Sequence, residues 1–118
     1  MADFEPKKLA LIRILQILEE HSDKDHPLTQ EDISSMLENE YGIVIERKAI
    51  GRNISLLKEA GFDIGSRRAG CYLDTRVFSD DELRMFIAAV NSNKDLTENQ
   101  REDLVGRICG LSSKYFTL

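Results

Sequence analysis

The chain has no tryptophan, two cysteines and two prolines among its 118 residues. Cys71 and Cys109 are too few for a disulfide framework or a four-thiolate zinc site, so free thiols and a reduced, cytoplasmic setting are expected. No apolar run approaches the roughly 18–20 residues of a membrane span, so no membrane partner is expected. The start, Met1–Ala2–Asp3–Phe4–Glu5–Pro6, lacks the basic stretch and apolar core of a secretory signal. No glycine-rich phosphate loop follows a strand pattern, and no Ser/His/Asp or Cys/His set shares a plausible loop. The chain therefore reads as no enzyme, with no cofactor. Positive charge is also short: 16 Lys+Arg stand against 21 Asp+Glu, a net charge of −5. Taken as a single number, that balance argues against a nucleic-acid partner. What is present is an ordinary globular mixture, 42% apolar and 31% charged, too apolar for a disordered acidic tail.

Apolar spacing predicts five helices and one hairpin. Leu11, Ile14, Leu15 and Leu18 repeat at helical intervals between Lys7 and Glu20. Thr29 offers an N-cap to a second helix carrying Ile33, Met36 and Leu37, with acidic Glu31 and Asp32 in its first turn. Gly42 supplies its left-handed end. After the short connector Ile43–Val44–Ile45, a third helix spans about Glu46 to Ala60, burying Ile50, Ile54 and Leu57, with Gly61 past its end. Phe62–Asp63–Ile64 and Cys71–Tyr72–Leu73 read as two short strands, joined by the glycine-bounded turn Gly65–Ser66–Arg67–Arg68–Ala69–Gly70. Ser79 caps a fourth helix from Asp80 to about Asn91, with Leu83, Phe86, Ile87 and Val90 as its stripe. Thr97 and Gln100 form a capping-box pattern before a fifth helix with Leu104, Ile108 and Leu111.

This order is the plan of a winged helix-turn-helix (residues 1–78) followed by a two-helix segment (residues 79–118). The fold class is mainly α with a small β-hairpin. Such a fold places its second motif helix in a DNA major groove, N-terminal half nearest the bases. Here that face carries Arg47, Lys48, Arg52 and Ser55, with Gly51 and Lys58 beside it, and the hairpin tip carries Arg67 and Arg68. From Glu46 to Arg76 there are seven basic and four acidic residues, a local +3. The remainder holds nine basic and seventeen acidic residues, or −8. Counterion release depends on the phosphates contacted, so a local patch suffices for double-stranded DNA binding within an acidic chain. The alternative is a non-catalytic protein–protein module on the same scaffold, its charged faces merely solvated.

The chain also resembles the N-terminal region of bacterial WYL-domain transcriptional regulators, whose winged helix is DeoR-like. The matching stretches are Lys8–Leu9–Ala10–Leu11–Ile12–Arg13–Ile14–Leu15, His26–Pro27–Leu28–Thr29, Tyr41–Gly42–Ile43 and Glu46–Arg47–Lys48–Ala49–Ile50–Gly51–Arg52–Asn53–Ile54. Further matches are Ala60–Gly61–Phe62–Asp63–Ile64, Gly70–Cys71–Tyr72–Leu73 and the linker-like Ser79–Asp80–Asp81–Glu82–Leu83. The resemblance implies a dimeric operator-binding regulator with Arg47, Lys48 and Arg52 on the recognition helix and Arg67 and Arg68 on the wing. Two positions depart from the pattern: Gly51 stands where a larger side chain is usual, and Asn53 where Asp is usual. Gly51 costs the helix up to about 1 kcal/mol, or admits close approach of DNA. Asn53 either holds the wing or meets DNA. The family's effector domain is absent, so an effector ligand would act through a part of a longer protein, of which this chain is expected to be a fragment.

Two further readings follow. Leu83, Phe86, Ile87, Val90, Leu104 and Ile108 either build an intrachain core or join two copies into a homodimer, since operators are commonly read by two-fold dimers. His21 and His26, with Asp23 and Asp25, sit in a polar loop without a further ligand nearby, so no metal site is expected.

Overall fold

The computed structural model describes residues 6–118. It is mainly helical with one small antiparallel sheet. The elements are α1 (Pro6–His21), α2 (Gln30–Tyr41), α3 (Arg47–Glu59), β1 (Ile64–Arg67), β2 (Gly70–Leu73), α4 (Asp80–Ser92) and α5 (Glu98–Cys109). The chain divides into two compact units after Thr75, three residues ahead of the boundary expected from the Ser79 cap.

In the first unit, α1, α2 and α3 pack on one another and α1 also reaches β2. The spacing of α1 predicts a buried stripe of Leu11, Ile14, Leu15 and Leu18. The fully buried set is instead Ala10, Ile14, Ile17 and Leu18, with Leu11 and Leu15 at its margin. The stripe is rotated because helices cover α1 from two sides while the hairpin covers its C-terminal end. Ile33 and Leu37 of α2 and Ile50, Ile54 and Leu57 of α3 complete the helical core.

Local chemistry sets the helix ends. Thr29 Oγ1 accepts the Asp32 N–H at 3.0 Å, and Asp32 Oδ2 accepts the Thr29 N–H at 3.0 Å. This reciprocal pair satisfies two donors that the first turn leaves unbonded. Gly42 closes α2 at φ 66°, and Ile43 returns its N–H to the Leu37 carbonyl at 3.1 Å. That conformation disfavours any side chain.

The hairpin differs from the sequence expectation. Its first strand begins at Ile64 rather than Phe62 and runs on through Gly65, Ser66 and Arg67. Only Arg68 and Ala69 form the turn. The register pairs Ile64 with Leu73, Gly65 with Tyr72, Ser66 with Cys71 and Arg67 with Gly70. Two glycines permit this. The Tyr72 ring lies where a Cβ on Gly65 would stand, so a glycine-bounded loop becomes a strand. Gly70 adopts φ 138°, and a Cβ there would run into the Leu28 backbone.

Leu28 is a third sheet position that the sequence reading missed. Its N–H donates to the Cys71 carbonyl at 2.7 Å, and the Cys71 N–H donates back at 2.8 Å. Buried Ser22 adds a second tie: its Oγ donates to the Leu18 carbonyl at 2.6 Å and accepts the Leu73 N–H at 3.0 Å. The α1–α2 connection is thereby bonded to β2, and the hairpin stands in a set position relative to the helices.

In the second unit, α4 and α5 pack together. Ser79 with Glu82, and Thr97 with Gln100, form complete capping boxes. Leu83 and Ile87 are buried, and Phe78 meets Phe86 edge-on with ring centroids 4.8 Å apart. No residue of α5 is fully buried; Leu104, Val105 and Ile108 are covered only in part. Arg101 Nη2 bonds the carbonyls of Asn93 (2.8 Å) and Leu96 (3.1 Å), closing the α4–α5 loop. Ser112 Oγ donates to Asp80 Oδ1 at 2.6 Å, tying the segment after α5 to the start of α4. No helix among the described residues is long and apolar enough to cross a membrane.

Candidate nucleic-acid interface

Burial of Ile50, Ile54 and Leu57 on one side of α3 turns Lys48, Arg52 and Ser55 to the other, three and four residues apart. Arg47 stands beside them in the first turn. All four side chains are exposed. Arg47, Lys48 and Arg52 have neither a hydrogen bond nor an ion pair among the described residues. Glu46 precedes them, and the far end of the helix carries Lys58 and Glu59 together, so the excess of positive charge lies in the N-terminal half.

The start of α3 adds to this. Helices α2, α4 and α5 each begin with a capping box, whereas Glu46 makes no side-chain cap bond. The Ala49 N–H turns back to the Glu46 carbonyl at 2.9 Å, and no N-cap side chain occupies the positive end of this helix dipole, a setting that favours phosphate oxygens.

The other expected DNA-binding residues separate into distinct roles. Gly51 faces α2, not open space: the Gln30 amide nitrogen lies 3.2 Å from where a Cβ would sit. The absent side chain thus admits Gln30, and close approach at this position is already used within the fold. Lys58 points toward the hairpin, with Nζ 3.4 Å from Ser66 Oγ. Arg67 is an exposed strand residue whose guanidinium carbon lies 5.5 Å from the centre of the Tyr72 ring, within cation–π range. Arg68 occupies the turn, exposed and without a partner among the described residues. The sequence reading missed Tyr72 as the platform under Arg67. The signal available was an aromatic directly opposite a glycine, and it becomes visible only once the register is known.

Cys71 is the buried residue of β2 opposite Ser66. Burial pushes its thiol above the ordinary value of 9.0, while the nearby Lys58 charge pulls the other way. Its buried side chain packs in the core of the first unit. Cys109 is also free.

Among the residues expected to join two copies, Leu83 and Ile87 are buried and offer no surface to a partner. Phe86 is 39% exposed, and Val90, Leu104 and Ile108 are half-buried. The two histidines, with four residues between them in the sequence, are used separately. His26 Nδ1 pairs with Asp23 Oδ1 at 2.8 Å, and His21 turns to Glu40 of α2.

Comparison with models of known protein families, with curated proteins and with solved structures returns no match.

Proposed function

We propose that the unit ending at Thr75 is a winged helix-turn-helix that binds double-stranded DNA, as the reading part of a transcriptional regulator resembling the WYL-domain proteins. In this reading α3 enters the major groove, and the β1–β2 hairpin is the wing, resting on the backbone or in the minor groove. The observation that carries it is the row of three exposed cations, Arg47, Lys48 and Arg52, without partners among the described residues, on the N-terminal half of one helix. A cation row kept only for solubility needs no such clustering in a chain of net charge −5. Arg52 and Lys48 supply base-edge donors, Ser55 extends the row, and Arg68 supplies a phosphate contact. Arg67, steadied on Tyr72, directs its charge along the hairpin.

The second unit is proposed to join two copies, matching the two-fold symmetry of most operators. Phe86, Val90, Leu104 and Ile108 are partly open, and Met85 and Leu111 are more exposed still, so the unit has apolar surface to offer.

The test is selection of genomic fragments by the protein, followed by fluorescence anisotropy on the enriched duplex across a salt series. Affinity is expected to fall steeply with salt, by about 0.9 logarithmic units per tenfold rise for each phosphate neutralised. Arg52→Ala is expected to cost about 1–3 kcal/mol on the enriched site. Arg68→Ala is expected to weaken all duplexes alike and lower the salt slope by about one. Equal binding by the wild type and a triple Arg47/Lys48/Arg52 alanine variant would sink the proposal.

The competing reading is a protein-interaction module. Leu56 favours it, lying 54% exposed on the same helix. A mainly apolar protein contact there would be insensitive to salt and lost in Leu56→Asp, with DNA affinity absent throughout.

A further inference from the structure

Two helix ends meet away from the basic face. Glu20 and His21 lie in the last turn of α1, and Glu40 lies in the last turn of α2. His21 Nε2 stands 3.0 and 3.2 Å from the two Glu40 carboxylate oxygens and 3.4 Å from Glu20 Oε2. One donor atom from each of the three residues falls within 4.8 Å of the other two. The imidazole is 13% exposed, and its Nδ1 is buried. The ring is therefore held with only Nε2 turned outward, toward the carboxylates.

The charge balance of this corner is unfavourable as it stands. Acidic groups at helix C-termini oppose the helix dipole, and here two carboxylates share one corner with two such termini. Neither Glu20 nor Glu40 has a Lys or Arg partner among the described residues. A small divalent cation between the three side chains would offset this. The spacing suits one: ligands about 2.0–2.1 Å from a tetrahedral zinc lie roughly 3.3 Å from each other, and the His21–Glu distances bracket that value.

We propose that His21, Glu20 and Glu40 form a binding site for a divalent transition cation of the zinc type, one imidazole nitrogen and two carboxylates with a fourth position open to water. The ion bridges the ends of α1 and α2 and so fastens the helix that precedes α3. His26 is no part of it, being paired with Asp23.

The experiment titrates the full chain, freed of metal, with zinc chloride by calorimetry and follows its thermal unfolding. One saturable site is expected. With zinc at ten times the dissociation constant or more, a rise in Tm of about 4 °C or more is expected. His21→Gln and Glu40→Gln are expected to abolish both effects, Glu20→Gln to weaken binding about tenfold, and His26→Gln to change neither. Circular dichroism of the metal-free variants confirms that they fold. Should His21→Gln prove unfolded, Glu40→Gln alone decides the matter. Cobalt substitution reports the ligand atoms: visible bands without thiolate charge transfer are expected. No saturable site, an undiminished zinc response in the folded variants, loss of binding in His26→Gln, or a thiolate band from Cys71 or Cys109 each overturns the proposal.

Discussion

Single atoms decide the hairpin. Gly70 combines φ 138° with the Leu28 backbone in the space of its missing Cβ, so Gly70→Ala is expected to destabilise the protein by about 2 kcal/mol or more in urea unfolding. Gly51 is the opposite case. Its neighbour is the end of the flexible Gln30 side chain, which can move aside, and an alanine recovers helix propensity. Gly51→Ala is expected to raise stability by up to about 1 kcal/mol; a simultaneous loss of DNA affinity would reveal a contact at that position beyond the Gln30 one. Cys71 is a third such residue. Its thiol is raised above 9.0 by burial, so the folded state holds the proton more tightly than the unfolded one. That contribution is complete below the unfolded thiol range and fades as pH rises through the raised folded value. A stability profile above pH 9 is expected to fall less steeply in Cys71→Ala, and Cys71 is expected to react more slowly than Cys109 with a disulfide reagent at pH 8.

Helix ends were the most legible elements. Thr97 with Gln100 read directly as a capping box and Ser79 as a cap, because such bonds join residues only three apart; the Glu82 half of the Ser79 box came only from the structure. At α2 the reading found the Thr29 cap but not the reciprocal bond, which here comes from the shorter Asp32. Thr29→Ala and Thr97→Ala are each expected to cost about 1 kcal/mol in thermal or urea unfolding. The uncapped start of α3 makes the converse test. Glu46→Ser is expected to add stability of a similar order, measured the same way. The hairpin was less legible, and for a physical reason. Gly65 and Gly70 look like loop boundaries in one dimension, yet one accommodates the Tyr72 ring and the other passes close to Leu28. Both neighbours arrive only when β2 folds back. The stripe of α1 shifted for the same kind of reason, since periodicity identifies a face but not how many neighbours cover it.

For the whole molecule, the net charge of −5 conceals a segregation into a basic α3–hairpin segment and an acidic remainder. Under the proposed function, that segregation concentrates the attraction for DNA on the α3–hairpin segment. The partly covered α5 gives the corresponding prediction for assembly. A double Phe86→Glu/Ile108→Glu variant is expected to sediment as a monomer where the wild type sediments as a dimer; equal behaviour of the two would remove the proposed joining role. Element order, helix caps, the exposed row Lys48–Arg52–Ser55 and the absence of a disulfide framework followed from the sequence alone, because they depend on spacing within a few residues. Tertiary contact decided the rest. It put Gln30 beside Gly51, brought Lys58 Nζ to Ser66 and set Arg67 on Tyr72. It assigned Leu83 and Ile87 to the interior, and it brought His21 to Glu40 across nineteen residues. Those outcomes depend on which distant segments meet, and local pattern carries no information about that.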